Sequence, residues 1–69
     1  MRMKQIRAMM ASQKQLYDSA ADDHERYYLA GLWIGCLNGL RLTNAITQQE
    51  YQELYNEMQQ HEIKARKAG

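Results

Sequence analysis

The stretch that most limits how this chain can fold is residues 27–42, which read YYLAGLWIGCLNGLRL. It contains no charged residue before Arg41, and Gly31, Gly35 and Gly39 recur in it every four residues. On a helix, this spacing brings the three glycines to one side, where they form a strip without side chains. The other sides are apolar, and a helix that is apolar nearly all round is buried between partners. The stretch therefore predicts a central helix that is covered on more than one side.

The same stretch is too short to cross a membrane. Only 14 uncharged residues lie between Arg26 and Arg41, whereas a membrane-spanning helix needs about 20, and Asn38 interrupts them. Glycines four residues apart are also typical of membrane helices. We interpret them here as allowing another helix to approach closely in a water-soluble bundle, and we expect no membrane partner.

The length and composition indicate one small all-α domain over residues 1–69. The chain has no proline and is rich in residues that favour helix. A core of this size contributes little stability by itself, the single cysteine excludes an internal disulfide, and no zinc-site spacing is present. We therefore expect a homodimer. Residues 1–17 do not resemble a signal peptide, and the lone Cys36 is typical of a cytoplasmic protein.

Hydrophobic periodicity predicts a long first helix. Apolar residues recur at helical spacing from Met3 onward, which indicates one continuous helix over about residues 3–43. The alternative is a break at residues 18–23, which read DSAADD, where Ser19 and Asp22 could cap a new helix. We favour the continuous helix because neither glycine nor proline marks a break there.

A second helix is predicted over about residues 48–65. Thr47 is a suitable N-cap, and Glu50 three residues later completes a capping box, in which the two residues bond each other's backbone N–H. Asn44 tolerates the left-handed conformation that ends the first helix. Because a short connection makes two helices antiparallel neighbours, the sequence predicts a two-helix antiparallel hairpin.

A homodimeric helical bundle follows from the different lengths of the two predicted helices. The second helix is long enough to reach back only to about residue 24. The apolar side chains of residues 3–17 therefore lack a partner in their own chain. In an antiparallel dimer they would fill the groove over the glycines of the second copy, and a parallel dimer stays open as an alternative. The residues expected at the interface are Met3, Ile6, Met10, Tyr17, His24, Tyr28, Gly31 and Gly35.

No pattern typical of an enzyme or of a cofactor site is present. Asp22, Asp23, His24 and Glu25 are consecutive, so on a helix they point in different directions and lack the spacing of metal ligands. His24 lies on the apolar stripe, and we expect it to be buried and hydrogen-bonded. Cys36 has no basic residue one turn away that would lower its pKa, so we interpret it as a small core residue. We expect no catalytic, cofactor-binding or metal-binding residue.

Two groups of residues are candidates for contacts with macromolecules. One group is basic, precedes every acidic residue and could contact the phosphates of nucleic acid; it consists of Arg2, Lys4 and Arg7. The other group could bind a protein, because tyrosine and arginine are enriched at protein interfaces; it consists of Arg26, Tyr27 and Arg41.

Residues 37–54, which read LNGLRLTNAITQQEYQEL, resemble a helical hairpin of short bacterial and phage modules. In those modules an apolar helix ends, a turn follows and I-T-x-x-E-Y opens an amphipathic helix. The whole chain resembles small all-helical accessory proteins of phages, prophages and plasmids. This resemblance implies a non-enzymatic protein-binding module that inhibits or modulates a host protein complex. The alternative function is a small nucleic-acid-associated regulator that binds through its basic N-terminal helix.

Overall fold

The computed structural model describes the backbone of residues 2–68 and the side chains of residues 2–67. Over these residues the chain is helical and contains no strand, which confirms the predicted all-α fold. The described part has three helices where the sequence predicts two. They are α1 (Arg2–Asp18), α2 (Asp23–Leu42) and α3 (Gln48–Ala68).

The continuous first helix predicted over about residues 3–43 is wrong, because α2 has its own N-terminal cap. The Asp22 Oδ1 atom accepts a hydrogen bond from the Glu25 N–H at 2.8 Å, and Glu25 Oε1 accepts one from the Ala21 N–H at 3.2 Å. Two backbone donors at the start of α2 are thereby satisfied without help from glycine or proline.

The alternative that we rejected places the break correctly but assigns the cap to the wrong residue. Ser19 does not cap α2, because its hydroxyl donates to the Leu16 carbonyl at 2.8 Å. Its backbone N–H also bonds carbonyls of the last turn of α1, at Gln15 and Leu16. Ser19 therefore belongs to the end of α1, and Asp22 begins α2.

An aromatic contact shows what the break makes possible. Tyr17, near the end of α1, meets Trp33 of α2 edge to face, with ring centroids 6.1 Å apart and ring planes at 64°. On one continuous helix these residues would be about 24 Å apart along the axis. Only 3% of Tyr17 and 4% of Trp33 is exposed, and such aromatic pairs contribute about 0.5–1.5 kcal/mol beyond their buried area. The break lets α1 pack beside the first half of α2.

The chain divides into two compact units within α2, one through Trp33 and one from Ile34 onward. Because α2 belongs to both units, the single domain over residues 1–69 stays a prediction. The buried apolar residues of the first unit are Ile6, Met10, Tyr17 and Trp33. Those of the second unit are Leu37, Ile46, Leu54 and Met58.

Helix α2 ends as the sequence predicts. Asn44 has a φ of 60°, the left-handed conformation that commonly follows a helix. The Ala45 N–H donates to the Leu40 carbonyl at 2.8 Å, and the Asn44 N–H donates to the Arg41 carbonyl at 3.1 Å. This pair of hydrogen bonds is the Schellman motif, which satisfies carbonyls that a helix end otherwise leaves open.

Helix α3 begins with the predicted capping box. Thr47 Oγ1 accepts from the Glu50 N–H at 3.1 Å, and Glu50 Oε1 accepts from the Thr47 N–H at 2.8 Å. One turn later, the Tyr51 hydroxyl donates to Asn38 Oδ1 of α2 at 2.7 Å. The last turns of α2 and the first turns of α3 are therefore neighbours, and α3 extends to Ala68, beyond its predicted end near residue 65.

Candidate protein-binding surface

An exposed and uncharged surface runs along α2, and we refer to it as the open face. Although α2 has no charged residue between Arg26 and Arg41, several of its residues are exposed to solvent. At 100° per residue, six of the exposed residues from Tyr28 to Leu42 point within about 100° of one another and form a strip about 21 Å long. The residues of the open face are Tyr28, Gly31, Leu32, Gly35, Gly39 and Leu42.

Large apolar side chains stand at the two ends of the open face. Tyr28 is 63% exposed at one end, Leu42 is 83% exposed at the other, and Leu32 between them is 45% exposed. Single exposed apolar residues are common, but a contiguous group is typical of an interaction site. Leu32 and Leu42 are not among the residues that we predict at the interface. Their spacing could have identified them, because Leu32 follows Tyr28 by four residues and Leu42 follows Gly35 by seven.

Between these side chains the surface of α2 is formed by glycine backbone. A Cβ atom added at Gly31, Gly35 or Gly39 would meet nothing within 4 Å beyond its own helix and chain neighbours. Packing within the described chain therefore does not require glycine at these positions. Each glycine nevertheless costs about 0.8–1.0 kcal/mol relative to alanine inside a helix. Close approach of another chain to α2 would explain that cost.

The residues of α1 that we predict at a dimer interface lie largely inside the chain. Ile6, Met10 and Tyr17 are 5%, 8% and 3% exposed, and Met3 is half-buried. The expectation that this stripe lacks a partner in its own chain is therefore wrong. Its physical reason is the break at residues 19–22, which allows α1 to pack against α2.

The other predicted interface residues lie on α2 and are exposed. They are His24, Tyr28, Gly31 and Gly35. The expectation that His24 is buried is wrong for the single chain, because the side chain lies at the surface in the first turn of α2. The predicted interface thus separates into a buried part on α1 and an exposed part on α2.

The three residues predicted to bind a protein differ in their exposure and in their contacts within the chain. Tyr27 is 85% exposed. Arg26 forms an ion pair with an aspartate in its own turn. Arg41 donates from Nε to Gln48 Oε1 at 3.0 Å and from Nη1 to Asn44 Oδ1 at 3.1 Å. The two arginines support local structure, whereas Tyr27 presents its ring to solvent beside the open face.

The basic residues predicted to contact nucleic acid lie exposed on α1. Arg2 and Arg7 already interact with other residues of the chain. The third residue of the group, Lys4, is also exposed.

Cys36 is half-buried on α2. Burial raises the pKa of the Cys36 thiol above its ordinary value. Less thiolate is therefore present near neutral pH, and the thiolate is the nucleophilic form of cysteine. This environment agrees with our interpretation of Cys36 as a packing residue.

The described part of the chain contains no group of three or more His, Cys, Asp and Glu residues placed to hold a metal ion. Within residues 2–68, no helix combines the length and the hydrophobicity that crossing a membrane requires.

A hollow of about 300 Å³ lies on α3. Its polarity is mixed, and its lining consists of Tyr55, Met58, Gln59, Glu62, Ile63 and Arg66. The Tyr55 hydroxyl already accepts a hydrogen bond from Gln59 Nε2 at 3.1 Å. Because a contiguous uncharged surface distinguishes an interface better than a mixed one does, the open face of α2 is the stronger candidate for a partner.

Comparisons with protein-family models, with curated proteins and with solved structures each find no match to this chain.

Proposed function

We propose that this protein is a non-enzymatic protein-binding module that assembles as a homodimer and inhibits or modulates a bacterial host protein complex. One observation carries the proposal: the open face of α2 is exposed and uncharged, and its glycines have nothing packed over them. Burying such a face against a partner gains hydrophobic free energy, at about 25 cal/mol per Å², without leaving a charge unpaired.

The proposal assigns the open face to a second copy of the chain and Tyr27 to a host protein. The open face is suited to close approach of a helix, because backbone forms its centre. Tyr27 points about 80° away from Gly35 around the helix, at the edge of the open face, and we assign to it the contact with a host protein. Tyrosine is frequent at the energetic centre of interfaces, because it buries a large ring and also offers a hydroxyl. The whole chain resembles accessory proteins of phages, prophages and plasmids, and the proposal therefore includes an origin in one of these elements.

Affinity capture tests the host-protein part of the proposal. We would immobilise the protein, the Tyr27→Ala variant and the Gln52→Ala variant, and incubate each with bacterial lysate. Gln52 is an exposed residue of α3 and provides the matched control. We expect at least one protein to be retained by the wild type and by Gln52→Ala, with retention at least tenfold lower on Tyr27→Ala.

Equal retention on all three resins would contradict the role of Tyr27. Retention of DNA at low salt, weakened by Lys4→Ala and lost steeply as salt is raised, would favour the nucleic-acid-associated regulator instead. Absence of any retained protein, together with such DNA binding, would overturn the proposal.

A further inference from the structure

We infer that a second copy of this chain covers the open face with its own α2, antiparallel to the first, with the two-fold axis at Gly35. This inference rests on the homodimer of the proposed function and specifies its geometry. It also replaces the earlier expectation that α1 of one chain fills the glycine groove of the other, since Ile6 and Met10 are buried within their own chain.

The sequence of the open face is nearly symmetric about Gly35. Four residues away on either side are Gly31 and Gly39, and seven residues away are Tyr28 and Leu42. In a two-fold interface each patch meets itself, so residues at equal distances on the two sides of the axis contact each other. In an antiparallel pair centred on Gly35, residues at equal distances before and after Gly35 contact each other, so the symmetric positions of the sequence meet.

The contacts of this arrangement match glycine with glycine and large with large at the ends of the strip, while Leu32 meets Asn38 of the second copy. Gly35 lies on its own copy at the axis, and Gly31 lies on Gly39 of the second copy, so the two backbones can approach closely. Tyr28 then lies on Leu42 of the second copy at each end of the strip. These two side chains are 63% and 83% exposed in the single chain, so each has surface available to bury.

Charge favours a second copy of α2 and the antiparallel direction. The open face has no charge, so a partner with a charged face would have to bury that charge unpaired, whereas α2 itself offers an uncharged face. The N-terminal end of α2 is acidic at Asp22, Asp23 and Glu25, and its C-terminal end has Arg41. Antiparallel packing brings unlike ends and opposed helix dipoles together, whereas parallel packing brings like ends together.

The available area predicts a dimer of moderate affinity. A fully covered aromatic side chain buries about 150–250 Å², and each copy would contribute Tyr28, Leu32, Leu42 and the glycine strip. Because Tyr28 and Leu32 are already partly buried in the single chain, the contact is smaller than a standard specific interface and falls among the weak ones, below about 1,200 Å². We therefore expect a dissociation constant in the micromolar range.

Cysteine cross-linking distinguishes this geometry from its alternatives. In a Cys36→Ser background, Gly35→Cys brings two thiols together at the axis, where helix backbones packed on glycine fall within the about 4.4–6.8 Å between Cα atoms that a disulfide needs. The matched control is Tyr28→Cys on the same face, whose two copies would be about 21 Å apart. The added side chain at Gly35 raises the dissociation constant, so each variant is treated with oxidised glutathione at protein concentrations above its own dissociation constant. Under these conditions we expect Gly35→Cys to form covalent dimer at least tenfold faster than Tyr28→Cys.

A mixture of Leu32→Cys and Asn38→Cys proteins provides a second test that leaves every glycine in place. These positions are three residues from Gly35 on opposite sides, so the mixture should form the mixed disulfide faster than either variant alone forms its own. Faster cross-linking of Tyr28→Cys would show a parallel pair and overturn the inference. A dimer in sedimentation without either expected cross-link would mean that another surface, or another direction, joins the copies.

A strictly monomeric protein in sedimentation at 100 µM would also overturn the inference. It would leave binding of a host protein through Tyr27 untouched, because that binding is measured separately by capture on the Tyr27→Ala resin. The two failures are therefore distinguishable.

Discussion

At the scale of single residues, Asn44 ends a helix by adopting one uncommon backbone conformation. Its φ of 60° costs an ordinary residue about 1–2 kcal/mol, and asparagine tolerates it better than alanine does. The Asn44 side chain also accepts a hydrogen bond from Arg41 at 3.1 Å. The conformation and the side-chain bond therefore support the same turn.

We predict that Asn44→Ala lowers the free energy of unfolding by about 1 kcal/mol. Asn44→Gly is the matched variant, because glycine adopts the left-handed conformation without cost but also lacks the side-chain bond to Arg41. It should fall between the wild type and Asn44→Ala. Chemical denaturation followed by circular dichroism measures all three. Equal midpoints for the wild type and Asn44→Ala would contradict a structural role for this conformation.

At the scale of helices, two capping pairs set where α2 and α3 begin. In each pair the cap residue, Asp22 or Thr47, accepts from the N–H of a glutamate three residues later. Glu50 bonds back to the N–H of Thr47, whereas Glu25 bonds back to the N–H of Ala21, one residue before its cap. Such caps stabilise because the first N–H groups of a helix have no partner inside it.

We predict that Asp22→Ala and Thr47→Ala each lower the free energy of unfolding by about 0.5–2 kcal/mol. Gln49→Ala is the control, since Gln49 is exposed in the first turn of α3 without capping it, and it should leave stability almost unchanged. Urea denaturation of the three variants decides the matter. If the urea midpoint of Asp22→Ala equalled that of the wild type, the Asp22 cap could not explain why α2 begins separately from α1.

The start of α3 could be predicted from the sequence because its signals are local. Thr47, Glu50 and Asn44 lie within seven residues of one another, and each acts through hydrogen bonds in its own turn. The start of α2 has an equally local signal in Asp22 and Glu25. We paired Asp22 with Ser19 as a possible cap and considered Glu25 only as a candidate metal ligand, and therefore missed that Asp22 and Glu25 form the cap together.

The reason for the break between α1 and α2 could not be predicted from local sequence. No glycine or proline marks it, and the contact that it permits joins Tyr17 to Trp33 across the break. The hydrophobic stripe continues in helical register through both helices, so periodicity alone favours one helix. That periodicity does not predict which apolar residues contact each other in the folded chain.

At the scale of the whole molecule, the break changes which residues are available to a partner. The spacing predicts the glycine strip of α2, and a Cβ added at any of its glycines would meet nothing within 4 Å in the single chain. Ile6 and Met10, which we expected to fill the strip of a second copy, are buried within their own chain. Spacing alone places Leu32 and Leu42 on the side of Tyr28, but exposure depends on the packing of complete helices, and the structure shows that all three side chains are exposed.

The last prediction concerns Gly35, where a larger residue should stabilise the folded monomer but weaken the dimer. In the single chain, a Cβ at Gly35 meets nothing within 4 Å, so Gly35→Ala should raise the free energy of unfolding of the monomer by up to about 1 kcal/mol. At a packed helix–helix contact, a larger side chain instead costs about 1–3 kcal/mol. Gly35→Leu should therefore weaken assembly about 5- to 150-fold, while circular dichroism shows at least as much helix as in the wild type.

Asn56→Ala separates helix propensity from assembly in this experiment. Asn56 is exposed on α3, and its replacement should stabilise the helix by a few tenths of a kcal/mol without changing the dissociation constant. Sedimentation equilibrium and thermal unfolding at matched concentrations measure both quantities. A Gly35→Leu protein that is more stable and assembles as tightly as the wild type would show that the glycine strip is not the contact. If instead the Gly35→Leu monomer is more stable but assembles more weakly, glycine at this position serves the approach of a second chain. It does so although it destabilises the helix.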